Sequence, residues 1–333
     1  MKHRNIPFFV PHAGCPNNCA FCSQTKITGQ AERNIDEELS ELGALLDSVQ
    51  PSDHSSKIAF FGGSFTAIAE DRMIALLSLA NEYIKKGVAD GIRISTRPDC
   101  IDRHILDILR EYRVTNIELG IQSIDDSVLT LSGRGHTAED SFRAAELIKE
   151  YGFILGGQMM VGLPGSDIGS EIRTAGEIVR MGAGEARIYP TVVFEDTPLY
   201  GMVCAGKYEP LTDEEAVERC AACYKIFADN GVRVLRIGLH ASEALKKAPF
   251  GATHPAIGEL VKGRVLSDRI IELAGECKGK MIEISVCPSQ YSMICGHSGA
   301  EINRIKRILS VTEITVTANK TAGADPWVRI RSV

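Results

Sequence analysis

A chain of 333 residues with 44% hydrophobic and 24% charged residues has material for a sizeable core, which excludes wholesale disorder and sets an expectation of about two domains. No apolar run reaches the ~20 residues a membrane-spanning helix needs. The run Ile6–Val10 after Met1-Lys2-His3-Arg4 is too short for a signal-peptide core, so the expectation is a cytoplasmic protein with no membrane partner. Net charge is −6 but uneven: residues 1–240 carry 24 Lys and Arg against 34 Asp and Glu, and residues 241–333 carry 13 against 9. A basic appendage on an acidic body points to a polyanionic partner, with a solvated helix face as the competing explanation.

In chain order, β-rich runs fall at Phe8–Val10, Lys57–Phe61, Ile92–Thr96, Asn116–Leu119, Ile154–Val161, Arg187–Val193 and Val232–Leu239. Amphipathic helical patterns lie between them at Asp36–Val49, Asp71–Lys86, Asp102–Tyr112, Ala138–Tyr151, Ser170–Met181 and Thr212–Asn230. Asp102 and Thr212 are N-cap residue types, and Gly87, Gly152, Gly182 and Gly231 stand where helices stop. Strand–helix alternation at this cadence predicts an α/β fold with parallel strands, a full or partial (β/α) TIM-type barrel over residues 1–240. After Leu239 the cadence breaks. Residues 240–265 read as irregular, followed by a helix at Ser267–Ala274, a strand at Lys280–Val286, a helix at Ala300–Leu309 and strands at Glu313–Thr317 and Trp327–Arg331. This predicts a small basic α+β accessory domain over residues 241–333.

Ten cysteines in a chain of this size do not make a disulfide scaffold; in a reducing compartment they imply metal or redox chemistry at some positions. Cys15-Pro-Asn-Asn-Cys19-Ala-Phe-Cys22 is a C-x3-C-x2-C run directly after the first strand. Three closely spaced thiolates can each hold one iron of a 4Fe–4S cubane and leave the fourth iron open. A zinc site would want a fourth ligand, for which His12 is nearest, and a ferredoxin-type centre would want a fourth cysteine. Cys220 and Cys223 share a helical pattern and read as buried structural thiols. Cys100, Cys204, Cys277, Cys287 and Cys295 have no ligand spacing.

Other polar groups sit at strand ends, where a barrel keeps its chemistry. Gly62-Gly63-Ser64 follows the second strand, and glycines there let backbone approach a ligand. Glu118-Leu119-Gly120-Ile121-Gln122-Ser123 ends the fourth, with Arg134-Gly135-His136 downstream. Arg134 suits a carboxylate through paired hydrogen bonds, and Gln122 offers a donor and an acceptor. His136 fits a helix-start residue and a catalytic one equally. Gln158-Met159-Met160 with Gly162-Leu163-Pro164-Gly165, and Ile188-Tyr189-Pro190, close the next two strands. His240 and His254 fit substrate contact and core packing alike.

Together with Ser95-Thr96-Arg97-Pro98-Asp99, this ordered set resembles the radical S-adenosylmethionine (SAM) superfamily over roughly residues 5–240. The likeness is greatest to the radical-SAM domain of the Elongator catalytic subunit, which modifies wobble uridine in tRNA, and more distant to oxygen-independent coproporphyrinogen oxidase. The resemblance implies a 4Fe–4S cluster on Cys15, Cys19 and Cys22, and S-adenosylmethionine contacts at Phe9, Gly62, Gly63, Ser64, Gln122, Arg134 and Gln158. It implies reductive cleavage of S-adenosylmethionine to a 5′-deoxyadenosyl radical, an oxidoreductase-type enzyme fed by a donor such as flavodoxin or ferredoxin, and an RNA (tRNA) substrate. Three features depart from the Elongator pattern: Ser95 stands where that pattern has a glutamate, the cysteine spacing is the shorter one, and nothing after residue 240 resembles its acetyltransferase domain. Two alternatives stay open. One is the same chemistry on a tetrapyrrole-like or other carboxylated small molecule, and the other is a non-catalytic metal-binding or sensing module.

Overall fold

The structure, a computed structural model, describes residues 4–10, 19–22, 34–50, 56–320 and 326–331. Seven parallel strands run in the order β1 (Arg4–Val10), β2 (Ser56–Gly62), β3 (Gly91–Thr96), β4 (Val114–Gln122), β5 (Ile154–Val161), β6 (Glu185–Pro190) and β8 (Arg233–Ile237). They curl into a half-barrel of the (β/α) TIM type, as the cadence predicted. Helices α1 (Ile35–Asp47), α2 (Glu70–Lys85), α3 (Arg103–Glu111), α4 (Asp126–Leu131), α5 (Ala138–Glu150), α6 (Ile168–Arg180), α7 (Pro198–Cys204) and α8 (Asp213–Asp229) fill the crossovers. The expected caps form: the Asp102 side chain accepts from Ile105 N at 2.8 Å, and Thr212 and Glu215 make a reciprocal capping box. The four helix-stop glycines all take positive φ, between 71° and 82°.

Strand alternation divides the sheet into two unlike faces. Ile58, Phe60, Ile92, Ile94, Ile117, Leu119 and Ile121 turn outward and pack fully buried beneath the helices. Phe60 stacks on Phe65 at 4.7 Å between ring centres. Each such side chain removed from water contributes roughly 1.5–3 kcal/mol, and this layer fixes the register. Residues one step along the same strands, Arg93, Asn116, Glu118, Glu185 and Arg187, face the concave side instead and are polar. Arg93 Nη1 bridges Glu118 Oε1 and Glu185 Oε2 at 2.7 Å each; Arg187 Nε reaches Glu118 Oε2 at 2.6 Å, and Arg233 pairs with Glu185. Gly156 makes room for this ladder, since a Cβ there would fall 3.0 Å from Glu118 Cγ.

Two expectations need correction. The run Arg187–Val193 is not one strand: β6 ends at Pro190, and β7 (Val192–Val193) pairs antiparallel with β9 (Phe250–Gly251) in a separate ribbon. Proline has no N–H to continue a ladder, so the chain leaves the sheet there. Residues 240–265 are not irregular throughout. After the short α9 (Glu243–Lys246), the long helix α10 runs from Ile257 to Ala274 and swallows the shorter helix expected at Ser267–Ala274. Gly258 and Gly263 disguise it in the sequence, because a glycine inside a helix normally argues against one. Both lie at close crossings: a Cβ would meet Ile237 O at 3.1 Å and Met293 O at 2.7 Å.

α10 serves two cores. Ile257 and Val261 join the half-barrel core, and Leu266, Ile270 and Ala274 join a second one. That second core lies under a three-stranded sheet of order β11 (Glu313–Ala318), β10 (Met281–Val286), β12 (Trp327–Arg331), with α11 (Pro288–Cys295) and α12 (Ala300–Leu309). No helix among the described residues is long and apolar enough to cross a membrane.

Candidate active site

The C-terminal edge of the half-barrel gathers most of the residues singled out from sequence. β4 ends in a register shift between Gly120 and Gln122, and Gln122 holds φ at +65°. A left-handed conformation in a non-glycine residue costs of order 1 kcal/mol or more and persists where surrounding structure imposes it. Gln122 is 3% exposed, and its Oε1 has no hydrogen-bond partner among the described residues. A buried amide oxygen left open next to strained backbone makes Gln122 a candidate ligand contact.

Arg134 meets this strand end from the loop after α4. Its Nη1 donates to Cys19 Sγ at 3.2 Å and its Nη2 to Gly120 O at 2.6 Å, while its buried Nε has no partner among the described residues. Gly120 keeps that approach uncrowded, as a Cβ would fall 3.0 Å from Gln122 Nε2 and 3.3 Å from Arg134 Nη2, and one of the two side chains would have to shift. The cysteine segment is pinned from two sides: Ala20 N donates to Ser132 O and Leu199 N donates to Ala20 O, each at 2.9 Å. Cys22 is half-buried and its N–H donates to Cys19 O at 3.0 Å. Cys15 and His12 lie outside the described residues.

Arg97, at the end of β3, carries a second guanidinium to the same place. It forks onto Asp99 with two bonds of 2.9 Å, donates to Arg134 O at 2.5 Å, and keeps a buried Nη1 without a partner among the described residues. Burial works against the charge of Arg97, but Asp99 and the cysteine sulfurs hold it more firmly protonated. Two buried cations beside Cys19 supply the counter-charge that a thiolate-ligated metal centre needs. The motif Ser95-Thr96-Arg97-Pro98-Asp99 alone assigns Arg97 no role; its i, i+2 spacing to Asp99 is the available signal.

The other residues on the resemblance-based list occupy two places. Phe9 lies on the concave side of β1, its ring centre 6.2 Å from that of Phe61, near the Gly62-Gly63-Ser64 turn that ends β2. Gly62 has φ of +121° and touches Val10 O so closely that a Cβ would sit 2.2 Å away, so only glycine fits. Gln158 is mid-strand and half-buried, in register with Gly120 on one side and Arg187 on the other, one row deeper than Gln122.

His136 is buried and its Nε2 donates to Ile121 O at 3.3 Å. Burial, with Arg134 and Arg97 nearby, pulls its pKa down to about 4, so it is neutral at pH 7 and braces the end of β4. The Gly162–Gly165 loop is held by Glu171 Oε1, which accepts from Gly162 N at 2.7 Å, and by Tyr208 OH, which donates to Gly162 O at 2.5 Å. Cys220 and Cys223 are buried in α8, and burial pushes both thiols up, as inert core sulfurs require. His254 Nδ1 accepts from Ala256 N at 3.1 Å, while His240 is exposed beyond β8.

The radical SAM superfamily profile matches residues 9–178, just over half the chain, and a radical SAM C-terminal domain profile matches residues 185–266. The chain belongs to the radical SAM superfamily. It is therefore an enzyme whose cofactors are a 4Fe–4S cluster and S-adenosylmethionine. The residues present fit such a pair: the Cys19 sulfur lies against the Arg134 guanidinium, and Gln122 holds an open amide oxygen at the same strand end.

Among curated relatives, the tRNA uridine(34) acetyltransferase of Methanocaldococcus jannaschii is 38% identical over 129 residues, covering 38% of this chain and 24% of that protein. Human Elongator complex protein 3 is 30% identical over 206 residues, covering 56% of this chain and 36% of its own length. The matched stretches thus span only a quarter to about a third of these relatives. In fold, this radical SAM protein is similar to the Methanocaldococcus infernus Elp3 lacking its N-terminus, with a TM-score of 0.64 and 22% identity over 80% of this chain and 63% of that one.

Proposed function

We propose that this radical SAM enzyme cleaves S-adenosylmethionine reductively and modifies RNA, with tRNA as the substrate class. The observation that carries the site is the meeting of Cys19, Arg134, Gly120 and Gln122 at the end of β4. The names of the relatives, a tRNA uridine(34) acetyltransferase and Elongator complex protein 3, support the RNA reading. So does the basic balance of residues 241–333, which we assign as an accessory RNA-holding domain beside a catalytic half-barrel in residues 1–240.

In this reading Cys15, Cys19 and Cys22 hold the cluster. When bound, the cluster would supply the electron, drawn from a flavodoxin- or ferredoxin-type donor, for reductive cleavage of S-adenosylmethionine. The chain's own groups orient and shield. Gln122 Oε1 would accept from the cofactor, Arg134, which holds Cys19, would offer its open Nε to a carboxylate, and the Gly62-Gly63-Ser64 turn would border the amino-acid end. Phe9 and Gln158 face the concave space and border the same ligand. The ladder of Arg93, Glu118, Glu185 and Arg187 fixes the strands beneath so that these groups keep their spacing.

A carboxylated small-molecule substrate is the second reading. It draws on Arg236, which bonds only backbone carbonyls (Gly238 O at 3.0 Å and Leu239 O at 3.3 Å) and has no carboxylate partner among the described residues. The deciding experiment is anaerobic reconstitution, a 5′-deoxyadenosine assay with and without tRNA, and mass spectrometry of RNA from cells with and without the protein. Deoxyadenosine stimulated by tRNA, with a modified nucleoside that disappears in the deletion strain, is expected. Unchanged turnover and an unchanged nucleoside profile would remove RNA as the substrate.

A further inference from the structure

The C-terminal sheet and its helices lie beyond both matched family regions, which end at residue 266. Chain order there is strand, helix, four-residue turn, helix, strand: β10, α11, Gly296-His297-Ser298-Gly299, α12, β11, with β11 parallel to β10 and at the sheet's edge. We propose that this unit is a clasp for single-stranded RNA, in which the Gly296–Gly299 turn grips the sugar–phosphate backbone. The proposal deepens, and rests on, the reading that the substrate is RNA.

A Gly-x-x-Gly turn between two helices that lie on a sheet is the arrangement KH-type modules use to clamp about four nucleotides of a single strand. The geometry here gives each glycine a part. At Gly296 a Cβ would fall 2.3 Å from Ser292 O, so the turn closes tightly onto α11. His297, Ser298 and Gly299 then take φ of 50°, 60° and 71° in succession, which reverses the chain within three residues. Gly299 has nothing within 4 Å of where a Cβ would stand, leaving open space for a backbone to come close. It is also the N-cap of the ten-residue α12 and offers no side chain to that helix's first N–H groups. No side chain among the described residues caps those groups, and with the positive end of the helix dipole they suit a phosphate.

Charge agrees with this occupant. Lys306 and Arg307 are exposed on α12, and Lys320 follows β11. The acidic residues between 287 and 320 are Glu301 and Glu313, and Glu301 is buried against Arg264. Arg264 also pairs with Glu214 of α8 at 2.7 Å, which ties the start of α12 to the half-barrel. His297 lies 3.7 Å from Glu259, and Glu259 lines, with Arg236, Leu239 and Lys262, a cleft of about 250 Å³ beside β8. A strand held by the turn therefore lies next to the last strand of the catalytic half-barrel.

The test uses the full-length, anaerobically reconstituted protein and fluorescence anisotropy with a labelled, unstructured 12-nucleotide RNA and its duplex. Wild type should bind the single strand at least tenfold more tightly than the duplex, and more weakly as salt rises. Ser298 is exposed, and aspartate accepts a left-handed backbone. Ser298→Asp should thus weaken single-strand binding at least tenfold with an unchanged melting temperature, while Ser298→Lys should bind as tightly as wild type or more so. Full binding by Ser298→Asp, or equal affinity for the duplex, overturns the clasp and leaves the RNA reading standing. Absence of any RNA binding by wild type overturns both.

Discussion

Removing Arg93 is the severest single test of the buried ladder. Its side chain is 3% exposed and its Nη1 lies 2.7 Å from two carboxylates that are themselves 3% and 6% exposed. Arg93→Met keeps the bulk and deletes the charge. Breaking a buried pair by removing one partner costs ~3–5 kcal/mol, because the carboxylate left behind is neither hydrated nor paired. Here each carboxylate keeps a second cation, Glu118 through Arg187 and Glu185 through Arg233, so the loss belongs at the lower end, about 3 kcal/mol. At roughly 2 °C per kcal/mol for a chain of this size, the melting temperature should fall by about 6 °C.

The deficit should also depend on pH. Burial pushes the Glu185 carboxyl up, but Arg93 and then Arg233 outweigh it and hold it below its ordinary value of 4.5. A depressed carboxyl contributes stability that is present above the unfolded pKa and lost as pH falls through the folded one. Wild type should therefore lose its advantage over Arg93→Met below about pH 4.5, and Arg93→Met/Glu185→Gln should recover much of the loss at pH 7. The assay is thermal unfolding by circular dichroism across pH 4–8. A melting temperature for Arg93→Met within 1 °C of wild type at pH 7 would refute the assignment of this ladder as the brace of the half-barrel.

Two further outcomes follow from the site. His136 titrates near 4 in the folded protein against an ordinary 6.5, so as pH falls from 6.5 to 4 the unfolded chain takes up a proton that the folded chain refuses. At 1.36 kcal/mol per pKa unit, stability should drop by ~3 kcal/mol over that window; His136→Gln should remove this component, and denaturant titrations at pH 4, 5 and 7 compare the slopes. Gly120→Ala would press a methyl against Gln122 and Arg134, so S-adenosylmethionine affinity by isothermal titration should fall at least tenfold while the 4Fe–4S absorbance near 400 nm stays. Unchanged affinity would separate this strand end from the cofactor.

Much of the fold is local in origin and was legible in the residue order. Strand–helix cadence, caps at Asp102 and Thr212, and stop glycines at Gly87 and Gly152 act over a few residues, so the six helices expected in residues 1–240 match observed ones to within one or two positions. The cysteine spacing and the strand-end motifs likewise pointed to the correct superfamily and to the edge of the barrel where Cys19, Gln122 and Arg134 meet. What could not be read was set by partners distant in sequence. Helix α10 hides behind two glycines whose reason is contact with Ile237 and Met293, and Arg97 reveals its place only when β3 brings it onto Arg134. The periodicity of the chain determines which faces must be buried, because burial acts on each residue's own chemistry. Only the tertiary structure decides which buried charges find each other, because a pair such as Arg93 and Glu185 spans 92 positions of chain and exists only once the strands have aligned.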